Sequence, residues 1–180
     1  MSEHTRVQVP ELSRRRFLWA GLGLVGGVAL LGGGVFVARI PSVAEVSGLK
    51  VLSPREYAIT AAIARTLFPE GGEYPAGADT FDLARSFDTF LADEPFENVR
   101  DLRRALQLVE VGPLLFGLSW TPFSGLSDEA RAEHWSGWEN SSLLMRRQVS
   151  LVFRKFFAMV FYDRPELWGE LGYDGPWEVP

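Results

Sequence analysis

The stretch "LLMRRQVSLVFRKFFAMVFY", residues 143–162, decides the fold class. Leu144 is followed by Val149, Phe153, Phe156, Phe157, Val160 and Phe161, and from Val149 onward these recur at spacings of three and four. That is helical periodicity, sustained over five turns without proline or glycine. A strand of this length would have to alternate, and this one does not. The helix is apolar around most of its girth, so it is expected to lie at the centre of its bundle.

Working outward, the same periodicity recurs on both sides. "SPREYAITAAIARTLFP" (residues 53–69) starts with a serine cap, Pro54 at the first helical position and Glu56 three after the cap, a capping box. Ile59, Ile63 and Leu67 then follow at helical spacing, and Pro69 with Gly71-Gly72 ends the run. A loop leads to Thr80, the expected cap of a second helix striped by Phe81, Ala84, Phe87 and Leu91. A third helix is expected from Phe96 to Val111, interrupted by Gly112-Pro113. Leu114 to Phe123 reads as a buried connector, with a helical start open to it. Ser127 caps a fourth helix with Asp128 and Glu129 in its first turn, where acids suit the dipole. Asn140-Ser141-Ser142 ends or kinks it. After residue 162, Asp163-Arg164-Pro165-Glu166 is a turn and a new cap, followed by a short helix and a tail. The body is therefore all-α, a compact bundle of about five or six helices over residues 53–180, preceded by an N-terminal signal or anchor helix. Residues 45–52 form a linker.

The first 44 residues are different in kind. Phe17 to Ala38 contains no charge, and seven of its residues are glycine. About 20 apolar residues suffice to span a bilayer, but glycine weakens a helix by about 1 kcal/mol each. Ahead of this run stands "SRRRFL". Ser13, Arg14, Arg15, Phe17 and Leu18 match a twin-arginine translocation signal, S-R-R-x-F-L, with Trp19 where lysine is common. Such a signal is an address read by the twin-arginine translocase, which carries folded cargo, and not in itself an anchor. Ser42-Val43-Ala44 offers small residues for a peptidase cut after Ala44. Uncut, residues 17–38 would stay in the inner membrane with the N-terminus in the cytoplasm. Either way the body is expected in the periplasm.

Composition narrows the chemistry. The chain of 180 residues has no cysteine, and its histidines are His4 and His134. Thiolate chemistry, disulfides and c-type haem attachment are excluded, and a zinc site is poorly supplied. From Glu45 onward there are 13 basic residues against 21 acidic, a net charge of −8. No nucleic-acid partner is expected of so acidic a body. The glycines at 21–34 follow no strand and make no dinucleotide fingerprint, and neither G-x-S-x-G nor H-E-x-x-H occurs. His134 reads as a surface or interface histidine, and Arg100, Arg103 and Arg104 as an exposed helix face. No catalytic, cofactor-binding or metal-binding residue is expected. Trp135 and Trp138, three apart, suit either core packing or a partner-binding patch. Trp168, Tyr173 and Trp177 lie in a short Gly/Pro-rich end and carry the same two readings.

Several stretches together resemble the gluconate 2-dehydrogenase subunit 3 family. Thr66, Leu67, Phe68 and Pro69, then Pro75, Gly77, Ala78 and Asp79, are similar to that family's opening, with Ala76 inserted. "FSGLSDEARAEHWSGWENS" is similar to its middle helix. Tyr162, Pro165, Trp168, Leu171, Gly172, Tyr173, Gly175 and Pro176 are similar to its closing pattern. The resemblance covers about residues 50–178. It implies a non-catalytic small subunit that binds a large FAD-dependent flavoprotein of the glucose–methanol–choline oxidoreductase type and escorts it through the twin-arginine pathway. A cytochrome c subunit often completes such a complex. FAD is then expected in the partner and no cofactor in this chain. The alternative is a stand-alone, membrane-tethered helical scaffold or ligand-binding protein.

Overall fold

The structure, a computed structural model, describes residues 45–117 and 119–174. Among them are six α-helices and no strand: α1 (Pro54–Leu67), α2 (Leu83–Ala92), α3 (Phe96–Gly117), α4 (Asp128–Glu139), α5 (Leu144–Tyr162) and α6 (Pro165–Leu171), with a 3-10 turn at Phe123–Gly125 before α4. None of these helices is long and apolar enough to cross a membrane. The segment 17–38 and the leader motif lie outside the described residues, as does Trp177.

The centre of the bundle is α1, not α5. Six consecutive α1 residues, Ile59 to Ala64, are buried, and α2, α3, α4 and α5 all pack on it. The reason is size. Ala61, Ala62 and Ala64 let neighbouring helices close in around Ile59 and Ile63. By contrast α5 buries one face, with Phe153, Phe156, Phe157 and Phe161 against the core, and leaves Leu144, Leu151, Val152 and Met159 exposed. Girth-wide hydrophobicity thus marked a helix with two apolar faces, of which the described residues cover one.

Capping follows the expected chemistry at Ser53 and Ser127. The Ser53 hydroxyl accepts the Glu56 N–H while the Glu56 carboxylate accepts the Ser53 N–H, and Ser127 accepts the Ala130 N–H. At α2 the expectation fails. The cap is Asp82, held in the left-handed region at φ 43°, because Thr80 is already engaged by Glu70. Asp82 accepts the Arg85 N–H at 3.0 Å and the Tyr57 hydroxyl at 2.7 Å. Helix α3 also departs from expectation, running through Gly112-Pro113 for 22 residues. Pro113 removes one helical donor. The lack of a side chain at Gly112 offsets this, since it admits the rings of Trp138 and His134. A Cβ there would lie 2.8 Å and 2.9 Å from them.

Charges fix the packing between helices. Arg103 is not part of a free basic face: its guanidinium forks onto buried Glu56 at 2.6 and 2.8 Å. Burial raises the Glu56 pKa, but the Arg103 and Ser53 hydrogen bonds outweigh it and hold the carboxyl below its usual value. Glu110, also buried, accepts from Arg55 and from the N–H and hydroxyl of Ser124, pinning the 3-10 turn to α3.

Candidate functional site

Residues 66–79 and the end of α5 meet in space. After α1 the chain folds back on itself around Glu70, whose carboxylate accepts the N–H groups of Gly77 and Thr80 at 2.9 and 2.8 Å. The Phe68 carbonyl accepts the Ala78 N–H at 2.8 Å. Gly77 must be small here, because a Cβ would stand 2.6 Å from the Glu70 nitrogen and 2.8 Å from the Phe68 carbonyl oxygen. The "TLFP" and "PAGAD" residues are therefore two halves of one closed loop.

Onto this loop docks the end of α5. Phe68 stacks on Phe161 at 4.4 Å between ring centroids and meets Tyr162 edge-on at 6.0 Å. Tyr74 reaches both rings, and Phe81 packs on Phe161 at 5.6 Å. Arg164 lies over the Phe81 ring and donates to the Ser86 hydroxyl at 2.8 Å. Just beyond, Trp168 and Tyr173 meet edge to face at 5.4 Å, Trp168 half-buried and Tyr173 exposed. Tyr162 and Tyr173 are 40% and 46% exposed. Rings of this kind offer large area at low entropic cost to a partner.

Trp135 and Trp138 do not belong to that surface. Both are buried, 3% and 0% exposed. Their rings lie nearly parallel, 6.3 Å apart, and Phe123, Phe153 and Phe116 enclose them. Of the two readings of this pair, core packing is the one observed. Trp135 donates to Glu139 at 3.1 Å, and Glu139 in turn pairs with Arg154.

His134 is not a surface histidine either. It is half-buried, and its Nε2 accepts the Trp138 indole N–H at 2.9 Å, which leaves the proton on Nδ1. Burial, and secondarily the charge of Arg146, lowers its pKa from 6.5 to about 4. A ring nitrogen so engaged is poorly placed to act as a general base. Arg146 lies flat over Phe116 at 4.7 Å and Trp138 at 5.5 Å. Among the described residues no three His, Asp or Glu gather as a metal site would require.

This arrangement fixes a pH dependence. The unfolded chain protonates His134 near pH 6.5 and the folded chain only near 4. Between those values the unfolded state binds more protons, so stability falls as the pH falls and is complete above 6.5. We expect a loss of about 2–3 kcal/mol across that window. Glutamine at 134 keeps an acceptor for Trp138 and cannot take up the proton. Urea midpoints at pH 7 and 4.5 should therefore differ less in His134→Gln than in the parent chain; equal differences would refute the assignment.

Compared with models of protein families, with curated proteins and with solved structures, the chain matches none. The candidate site consists of a closed Glu70 loop and an aromatic seam from Phe68, Tyr74 and Phe81 to Phe161 and Tyr162 at the end of α5. The leader residues Ser13, Arg14, Arg15, Phe17 and Leu18, and Trp177, lie outside the described residues. Sequence reasoning missed the buried carboxylates, above all Asp88. Its oxygens accept the backbone N–H groups of Lys50, Val51 and Leu52 at 2.7, 2.9 and 2.7 Å. A signal existed, since Asp88 directly follows Phe87 within the apolar stripe of α2.

Proposed function

We propose that this chain is the non-catalytic small subunit of an exported oxidoreductase. It binds a FAD-dependent large subunit of the glucose–methanol–choline type in the cytoplasm and brings it, folded, through the twin-arginine translocase. Its own body then resides in the periplasm at the inner membrane, held there by residues 17–38 or released by a cut near Ala44. A cytochrome c subunit is a further member of the proposed complex.

The observation that carries this reading is the stretch Ser13–Leu18 standing ahead of a helical body. That route serves cargo folded before transit, and a helical body in which no cofactor is expected has little need of it for itself. The order of the three similar stretches supports it further. So does the engagement of four buried or half-buried acceptors: Glu56 and Glu110 tie helices together, Asp88 holds residues 50–52 on α2, and the His134 Nε2 accepts the Trp138 N–H within α4.

The test is a double substitution, Arg14→Lys with Arg15→Lys, in the native host. The positive charge is kept, so simple membrane attraction is unaltered. The expected result is that flavoprotein dehydrogenase activity, and flavin co-purifying with this chain, disappear from the periplasmic fraction and accumulate in the cytoplasm. A flavoprotein that still reaches the periplasm would rule out the escort role. A chain that never carries flavin would rule out the partnership.

A further inference from the structure

Residues 45–52, expected as a linker, are clasped to α2. The chain turns at Ser47-Gly48, with Gly48 at φ 74°. Arg85, itself paired with Asp82 at 3.0 Å, donates to the Ser47 carbonyl at 3.3 Å. Asp88, 1% exposed, then takes the N–H groups of Lys50, Val51 and Leu52. Side chains seal the same segment. Val46 and Leu49 are half-buried, Val51 packs on the core, and Leu52 is buried. A flexible linker would leave these groups to water.

The bond that a signal peptidase would cut lies just ahead of this clasp in the sequence. Ser42 and Ala44 are the small residues such an enzyme reads, and a cut after Ala44 leaves Glu45, Val46 and Ser47 as the first residues downstream. A peptidase cleft holds its substrate extended, with the main chain paired as an added strand on both sides of the bond. The left-handed turn at Gly48 cannot join an extended strand, and the Ser47 carbonyl already has a donor. Engagement therefore requires residues 46–48 to lift from α2. Lys50 stands two positions beyond Gly48, and the charge-assisted bonds from Asp88 to residues 50–52 hold the chain against that lift. Cleavage of a held segment proceeds through its open form, at a rate set by how much of that form is populated.

We infer that the clasp of Asp88 and Arg85 on residues 47–52 protects the bond after Ala44, so that the leader is not removed and residues 17–38 remain as the anchor of the body. The inference rests on the export reading of Ser13–Leu18 and decides between the two fates left open there. It holds for any partner that travels with the chain.

The experiment uses the full chain in its native host, with mass spectrometry of the N-terminus in the membrane and soluble periplasmic fractions. Protease added to spheroplasts reports whether the body has crossed. Two variants act on the clasp in different ways. Asp88→Ala removes it. A Gly-Ser-Gly-Ser-Gly-Ser insert between Ala44 and Glu45 leaves the clasp and the body as they are but supplies free residues downstream of the bond, so this arm does not depend on how Asp88→Ala folds. The parent chain is expected intact in the membrane fraction. Among exported chains, both variants should be cut after Ala44 and released, in amounts about tenfold or more above the parent. Ala44→Arg in the insert variant should restore the intact form. A parent chain cut after Ala44 would overturn the inference. An insert variant that stays intact would do so too, since the bond would then be no peptidase site. A cut insert variant beside an intact Asp88→Ala would remove Asp88 from the protecting role. A parent body that protease never reaches in spheroplasts would defeat the export reading itself.

Discussion

Trp138→Ala should destabilise the body by about 4 kcal/mol, the range for removing a fully buried tryptophan. For a domain of this size the melting temperature should fall by something on the order of 15 °C. Several losses coincide. The stacked Trp135 ring loses its neighbour, Phe116 loses an edge contact, and Arg146 loses one of its two aromatic faces. His134 Nε2 also loses its donor. Trp138→Phe separates these contributions, keeping a ring while removing the N–H, and should cost about 1–2 kcal/mol. Gly112→Ala approaches the same contact from α3. Its methyl would stand 2.8 Å from the Trp138 ring and 2.9 Å from His134, so overpacking of about 1–3 kcal/mol is expected. Because the two sites touch, the double variant Gly112→Ala, Trp138→Phe should be less unstable than the sum of its parts. Chemical denaturation of the four chains measures this, and strict additivity would show that the contact is not made.

Local signals in the sequence carried most of the helix boundaries. Ser53, Ser127 and Pro165 each start a helix where the chain chemistry puts them, and the pattern of 143–162 becomes α5 almost residue for residue. What local reading could not supply was competition for partners. Thr80 looks like a cap until Glu70 takes its hydroxyl, and then Asp82 must serve. Gly112-Pro113 looks like a break until Trp138 arrives from another helix to fill the glycine's space. Glu56 is legible as a capping residue, but its second partner, Arg103, stands 47 positions away and no short-range pattern points to it. The same limit governed the site. Aromatic residues at 135, 138, 168 and 173 carry the same two readings in sequence, and packing divides them into a buried pair, a half-buried Trp168 and an exposed Tyr173. The centre of the bundle was misjudged for a related reason. Hydrophobicity reports how much surface a helix needs covered, whereas the small side chains of α1 decide which helix the others can surround.

Asp88→Ala should detach residues 50–52 from α2. Residues 50–52 run past α2 with three consecutive N–H groups aimed at one carboxylate, and Arg85 adds a bond to the Ser47 carbonyl. Burial raises the Asp88 pKa, but these three N–H groups more than compensate and hold it below 3.8. A carboxyl so lowered contributes stability that is complete above pH about 4 and is lost as the pH falls through its folded value. Removing the acceptor strands the Leu52 N–H in the core and returns the other two to water. Charge-assisted bonds of this kind suggest a loss of about 3–4 kcal/mol, and Asp88→Asn, which retains one acceptor oxygen, should lose about half of that. Two readouts distinguish local release from global unfolding. Amide exchange at 50–52 should become fast in Asp88→Ala while the amides of α1 remain protected. Trypsin cleavage after Lys50, whose N–H is one of the three held groups, should accelerate at least tenfold. Unchanged protection at Lys50 would mean that something other than this carboxylate holds the segment. The consequence for export follows from connectivity. Asp88 on α2 fixes residues 50–52 in the folded body, so in the escort reading the leader is presented from a fixed site on a folded subunit. Asp88→Ala should then lower export of the proposed flavoprotein complex without altering Ser13–Leu18, whereas a leader acting independently of the body would be exported at the same rate with or without that carboxylate.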